Sequence, residues 1–478
     1  MNESVSLIEP NSFESDHHFY PKVLNAHLHP MVSYFLSLSR EQLVERYVHL
    51  NPMVSKDFLH NQLAEPMRYF YWGGNDLFYV TTDSGNRKMI VLETNSCPSG
   101  QKSMPSLLDT DEYRGYKALL EHSFLPALKK KRLPDGKLAV IYDKNKMESS
   151  GYAATLADLT GEAVYLIPCY DRQDNPVSFS DGVMYVSIDG KERVPIRAAL
   201  RYVTQRPWNR IPFLTKTFIF NPTLICLSGG RNKLMASKAY EFFNSEIQES
   251  GLKINTPNTI RDVSKVEVPL WVEHFGGYAV IKNPYSNAGQ GVYTITSQRE
   301  LDAFMAIEHT YDQFIVQSLI GHYDWSSSNH AGKFYHIGTV PTKKHGSIYV
   351  ADLRMMVYSS PQGFSPCAIY ARKARSPLLQ KMQDGKASWD MLGTNLSIKL
   401  DDGKWESDTS RLLLMDKKDF NTVGIGLDDL IEAYIQTILS ISAIDKMAQK
   451  LLSKNNQFKR KLFSSLDPDP TLLNEILI

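Results

Sequence analysis

The chain has 478 residues, with 53 Lys plus Arg against 52 Asp plus Glu and a formal net charge of +1. That length predicts two or three domains around a substantial core, and the balanced charge argues against nucleic acid or an acidic membrane as partner. Four cysteines (Cys97, Cys169, Cys226, Cys367) stand far apart without a CxxC pair, which fits free thiols in a reducing compartment. The polar N-terminus carries no apolar signal core, and no apolar run reaches about 18 residues. A cytoplasmic protein is the expectation.

Residues 1–70 are predicted to be mostly helical, with apolar residues at helical spacing over 32–50 between Pro30 and Pro52. Two β-like runs, 76–82 and 88–93, flank the turn-forming Asp83-Ser84-Gly85-Asn86 and read as a hairpin. A helix is expected over 112–130. Then 137–142 (KLAVIY), 151–160 and 163–168 (AVYLIP) read as strand, helix, strand, a βαβ unit with a parallel pair. A hairpin over 182–194 and a strand over 223–227 complete that α/β segment. Beyond it we expect helices at 234–243 and 298–307, strands at 278–282, 313–317, 348–358 and 365–371, and a helical tail at 427–452.

Three constellations carry chemistry. In MIVLETNSCPSGQ, Glu93 and Asn95 are two apart on a strand and share a face. With Asp76, which opens the other hairpin strand, they form an oxygen-ligand set for a hard cation such as Mg²⁺. In VIKNPYSNAGQGV, Lys282 ends a strand that runs into Ser286-Asn287-Ala288-Gly289-Gln290-Gly291. Such a small-residue loop lets backbone N–H groups approach phosphate closely, although an ordinary glycine hairpin reads the same way. It matches neither the Walker nor the Rossmann pattern. Lys233 sits in a glycine-rich turn entering a helix and offers a second cation. Asp352 and Arg354 share a strand face, and Arg372 and Arg375 end the next strand. Arginines so placed can neutralise charge during phosphoryl transfer; a surface ion-pair ladder is the alternative. Asn395 adds a polar contact.

In this order (RNKL, VIKNPYSNAGQGV, FIVQSLI, DLR, YARKAR, GTN) the motifs resemble the ATP-grasp superfamily. Because LETNSCPSG precedes the βαβ segment, the chain is similar to the circularly permuted ATP-grasp group. The resemblance implies an α+β and α/β fold: a helical N-terminal segment (1–70), the permuted metal-binding part (71–135), an α/β middle domain (136–230), the nucleotide-binding subdomains (231–400) and a helical C-terminal segment (401–478). It further implies ATP and Mg²⁺ as cofactors. Lys233, Lys282 and the 286–291 loop would hold phosphates, and Gln317, Ser318, Leu319 and Ile320 would line the adenine pocket. Asp76, Glu93 and Asn95 would bind the metal; Arg354 and Arg372 would be catalytic.

The implied activity is an ATP-dependent ligase that joins a small amino-acid-like carboxylate to an amine through an acyl phosphate. A phosphotransferase and a non-catalytic nucleotide-binding scaffold are the alternatives, and a homodimer is compatible with the chain. Arg201 and Arg206, with Arg375 and Asn395, are the candidates for gripping substrate. Cys97 beside the metal strand reads as a packing residue. His17, His18, His27 and His29 lack the partner set of a zinc site.

Overall fold

The computed structural model describes residues 4–106, 111–129, 131–188, 190, 192–286, 289–329, 332–339, 346–383, 385–399 and 405–476. Its first strands are β1 (Ser6–Ile8), β2 (Trp72–Thr82), β3 (Arg87–Ser96), β4 (Lys137–Tyr142), β5 (Val164–Pro168), β6 (Val177–Ser180), β7 (Val183–Ile188), β8 (Glu192–Tyr202) and β9 (Phe218–Phe220). These are followed by β10 (Thr259–Ser264), β11 (Ala279–Lys282), β12 (Val292–Ile295), β13 (Gln313–Ser318), β14 (Ser328–Asn329), β15 (Gly332–His336), β16 (Ala351–Ser360) and β17 (Gly363–Lys373). Helices that matter below are α1 (Pro30–Ser37), α2 (Arg40–Leu50), α3 (Lys146–Thr160), α4 (Lys233–Glu246) and α5 (Leu427–Lys450). Among the described residues, no helix is long and apolar enough to cross a membrane.

The βαβ expectation holds. The continuous apolar runs KLAVIY and VYLIP are buried on both faces, as central parallel strands must be, and Val140 stands level with Leu166 and Leu200. The sheet runs β1-β5-β4-β8-β7-β6, with β9 alongside β8. Its first strand comes from the segment expected to be helical. The expected strand over 223–227 is instead a helical turn, in which Ile225 N–H donates to Pro222 O and Cys226 N–H to Thr223 O, both at 2.9 Å. Pro222 has no N–H for a ladder; the strand partner of β8 is Phe218–Phe220. The single helix expected over 32–50 breaks in two, because Ser39 is extended and caps α2 in a box with Gln42.

A second, four-stranded antiparallel sheet runs β10-β13-β11-β12. Its edge strand β10 was not expected. It is half-exposed and bulged between Ile260 and Val263, so it lacks the alternation that marks a strand.

The third sheet runs β14-β15-β2-β16-β17 and ends on Leu412–Leu413, with β3 on the other flank of β2. The apolar helix α5 covers one face. Alternation along β2 divides the work: Asn75 turns to α5 and donates to Ser440 Oγ at 3.0 Å, whereas Asp76 turns to the opposite face. At the helix's far end, buried Asp445 accepts from the backbone N–H of Tyr69 and Phe70 at 2.8 and 2.7 Å. The expected helical tail is therefore a wall of the core.

Candidate functional site

The open face of the third sheet assembles charge by register alone. Asp76 lies opposite Glu93 on one side and Arg354 on the other, and Asp352 lies opposite Arg372. A bulge between Asp76 and Leu77 takes up Leu92 and keeps Glu93 level with Asp76. Arg354 donates to both Asp76 oxygens, at 2.6 and 2.7 Å, and Arg372 stands 3.0 Å from the same carboxylate. Arg372 also donates to Asp352, from Nε at 2.9 Å. Burial opposes ionisation of Asp76, yet the Arg354 and Arg372 guanidinia hold its carboxyl well below the usual carboxylate range.

The four-stranded sheet faces this floor. Lys282, at the end of β11, is 9% exposed and donates to Leu92 O at 3.2 Å. Burial pushes its amine down to about 8, with Glu93 pulling the other way. Lys233, the first residue of α4, stands 3.3 Å from Glu93 Oε1 and donates to Ser286 O. Its own N–H bonds Pro284 O at 2.9 Å, which ties the helix start to the glycine loop. Gly289 and Gly291 both have positive φ, 77° and 65°. A Cβ on Gly289 would stand 2.5 Å from Asn395 Nδ2, so the loop tip needs glycine there. Asn287 and Ala288 lie outside the described residues. Gln290 lines a small cavity at the loop tip with exposed Arg375 and Asn395.

Between the sheets lies a narrow cavity of 100 Å³ lined by Asp76, Phe78, Glu93, Lys282, Gln317 and Asn395, among others. It adjoins a cleft of 890 Å³ between β3, α4 and β10. Three of the four expected hinge residues, Gln317, Ser318 and Ile320, line the narrow cavity. Leu319 does not: it packs with Trp325 and Val350, and its N–H and carbonyl both bond Ser327.

The substrate-grip expectation for two arginines fails. Arg201 is 1% exposed and donates to Asn221 O, Val203 O, Cys226 Sγ and Ser96 Oγ. Four of its five N–H groups are thus engaged inside the protein, and its burial keeps it from a ligand. Arg206 donates from Nε to Glu475 at 2.7 Å and also bonds the Tyr311 hydroxyl, with the rings of Tyr285 and Tyr311 beside it. It fastens the C-terminal helix. Cys97 is fully buried, and burial pushes its thiol up, which suits packing. His29 caps α1 by accepting from Met31 N–H.

Three residues at the site were not anticipated. Phe78 is two positions from Asp76 on β2, so alternation would have found it. Arg231 donates to Asn95 Oδ1 at 2.8 Å and to Ser96 O, orienting the end of β3. Lys144 follows β4; burial first and the Arg231 guanidinium next push its amine down to about 7.

Asp76, Glu93 and Asn95 are hard oxygen donors on two adjacent strands, the chemistry a Mg²⁺ ion takes. Asn95 carries a buried amide nitrogen without a hydrogen-bond partner, while its oxygen retains a lone pair beside Arg231. Among the described residues no group of three His, Cys, Asp or Glu could hold an ion on its own. The set thus fits a cation that arrives already chelated by phosphate oxygens.

No protein-family model matches the chain, and no curated protein matches it. Solved structures do show a likeness. A glutathione synthetase-like effector from Globodera pallida aligns over 72% of this chain and 81% of its own, at 10% identity and a TM-score of 0.38. A RimK domain ATP-grasp protein from Sphaerobacter thermophilus aligns over 52% and 92%, at 12% identity and 0.30. D-alanyl-alanine synthetase A from Vibrio cholerae aligns over 55% and 95%, at 11% identity and 0.29. Identities and scores this low carry no functional weight, which rests on the geometry.

Proposed function

We propose that the chain is an ATP-dependent carboxylate–amine ligase built on a circularly permuted ATP-grasp fold. One observation carries the reading: Lys233, Lys282 and the Gly289–Gly291 turn converge from one side on the Asp76–Glu93 carboxylates, which Arg354 and Arg372 flank from the other. Cations and backbone donors facing carboxylates across a cleft are what a metal–polyphosphate requires. The permutation is supported by β2 and β3, which precede the βαβ segment yet pair within the same sheet as β16 and β17.

In this reading the base sits between Phe78, Val280 and Ile320, and the phosphates run toward Lys282, Lys233 and the glycine turn. Asp76, Glu93 and Asn95 would hold Mg²⁺, which supplies charge neutralisation at the phosphates. The substrate carboxylate oxygen attacks the γ-phosphorus; that bond forms as the bond to ADP breaks, and ADP leaves with the electron pair. The amine nitrogen then attacks the acyl carbon, and phosphate departs as the nitrogen loses its proton. Arg354 and Arg372 lie where negative charge grows, so positioning and charge neutralisation supply the rate. The narrow cavity by itself falls below the roughly 300 Å³ of ordinary ligand pockets; the room for a nucleotide comes with the adjoining 890 Å³ cleft, which shares Glu93, Lys233, Lys282 and Gln317 with it.

The test is ATP consumption across pooled amino acids and small carboxylates, with and without hydroxylamine. ADP, phosphate and hydroxamate are the expected products. AMP and pyrophosphate, or a phosphorylated hydroxyl with no hydroxamate, would overturn the ligase reading; the latter outcome identifies a phosphotransferase.

A further inference from the structure

The segment beyond α5 reaches the phosphate end of the cleft through one buried carboxylate. It forms α6 (Arg460–Leu466) and α7 (Pro470–Ile476), with Asp467 fully buried between them. Asp467 Oδ2 accepts from Asn232 Nδ2 at 2.6 Å, and Oδ1 accepts from the Tyr285 hydroxyl at 2.7 Å. Both donors are neutral, and each is one residue from a group assigned above to the phosphates. Asn232 precedes Lys233 and caps α4, its Oδ1 accepting from Met235 N–H at 3.1 Å. Tyr285 precedes Ser286, whose carbonyl accepts from Lys233 Nζ.

One carboxylate thus holds two backbone segments that are distant in sequence and adjacent at the site. Between them, Lys233 N–H donates to Pro284 O at 2.9 Å, and Asn283 N–H closes the glycine loop on Gly291 O at 2.7 Å. Attachment of the segment itself is supplied elsewhere. Phe463 and Leu472 are fully buried in the main core, and Glu475 accepts from Arg206 Nε and Trp208 N–H, both at 2.7 Å. A buried carboxylate is a poor fastener, because leaving water opposes its charge unless its oxygens are bonded. What it adds is direction: two oxygens hold two donors at set positions.

We propose that Asp467 is a positioning residue for the phosphate end of the site. Through Asn232 it sets Lys233, and through Tyr285 it sets Ser286, so that ammonium and loop meet the polyphosphate in one arrangement. The assignment rests on the nucleotide reading above and adds to it a residue that touches no ligand.

The test uses the full chain and two variants. Tyr285→Phe removes one donor and leaves the ring against Tyr311, 5.0 Å between centroids; Asp467→Asn keeps one acceptor oxygen. Hydrogen exchange resolved by peptide mass spectrometry reads the Lys233 and Asn283 amides, with β4 as the control for global unfolding. In both variants exchange at those two amides rises severalfold and β4 is unchanged. Calorimetry with Mg²⁺ and ADP reads a severalfold loss of affinity in each. In the Lys233→Met background, Asp467→Asn weakens ADP binding less than it does alone, since part of its effect passes through that lysine. Unchanged exchange at both amides, a rise that β4 shares, or ADP losses that multiply in the double variant would overturn the positioning role. A full chain that binds no ADP, with exchange still raised in the variants, refutes the nucleotide reading and keeps Asp467 as the group that holds the two segments.

Discussion

Two charged regions meet along β3, one beneath its end and one above it. Beneath, Arg201 is enclosed by the carbonyls of Asn221 and Val203, by Cys226 and by Ser96, so four of its five guanidinium N–H groups are engaged inside the protein. Above, Lys282 and Lys233 face Glu93 and Asp76 across a gap, with a single carbonyl each as hydrogen-bond partner. Both regions carry buried positive charge; the second leaves most of its donors without a hydrogen-bond partner, the first only one. The lesson is that residue type marks a candidate, and a count of partners decides between scaffold and site.

The difference can be broken first where it is structural. Arg201→Leu leaves buried carbonyls without donors and should cost about 3–5 kcal/mol, read as a fall in the urea midpoint; a loss under about 1 kcal/mol would mean that the junction is not the scaffold described. Next in size is Glu93→Gln. It should cut turnover about a hundredfold or more while shifting Tm by no more than about 2 °C, because Glu93 is half-buried and, among the described residues, ion-paired only to Lys233. Surviving turnover would remove Glu93 from the site. Lys282→Met should weaken ADP binding about tenfold to a hundredfold and leave stability unchanged or higher, since it relieves a desolvated amine. A matching loss of stability would put Lys282 with the scaffold.

A last effect, absent at neutral pH, appears on acidification. His336 on β15 packs edge-on against Phe78, with ring centroids 4.4 Å apart, and burial lowers it from 6.5 to about 3. A neutral folded histidine binds fewer protons than the unfolded one. Its contribution is therefore complete above pH 6.5 and is lost as pH falls toward 3, at about 1.4 kcal/mol per pH unit from this one group. His336→Phe should flatten the urea-midpoint profile in that window, and an unchanged slope would assign the acid sensitivity elsewhere.

Much of this was legible in the sequence because it is written in period two. The hairpin of β2 and β3, the Asp352/Arg354 face and the parallel KLAVIY and VYLIP strands all follow from alternation or continuous apolar runs. β10 was missed because a bulged, half-exposed edge strand has no such pattern. The segment after Pro222 was misread since apolar content outweighed a missing N–H. Arg201 was misassigned for a different reason: which donors are engaged depends on Ser96 and Asn221, both distant in sequence.

The central claim is that the gap between the two sheets is a nucleotide site whose cation arrives with the phosphates. Calorimetric titration of ADP into the full chain, with and without Mg²⁺, tests it most directly. We predict binding of one nucleotide per chain, tighter with Mg²⁺ and weakened about tenfold to a hundredfold in Lys282→Met. Absence of binding in either condition, or equal binding by the Lys282→Met variant, would contradict it.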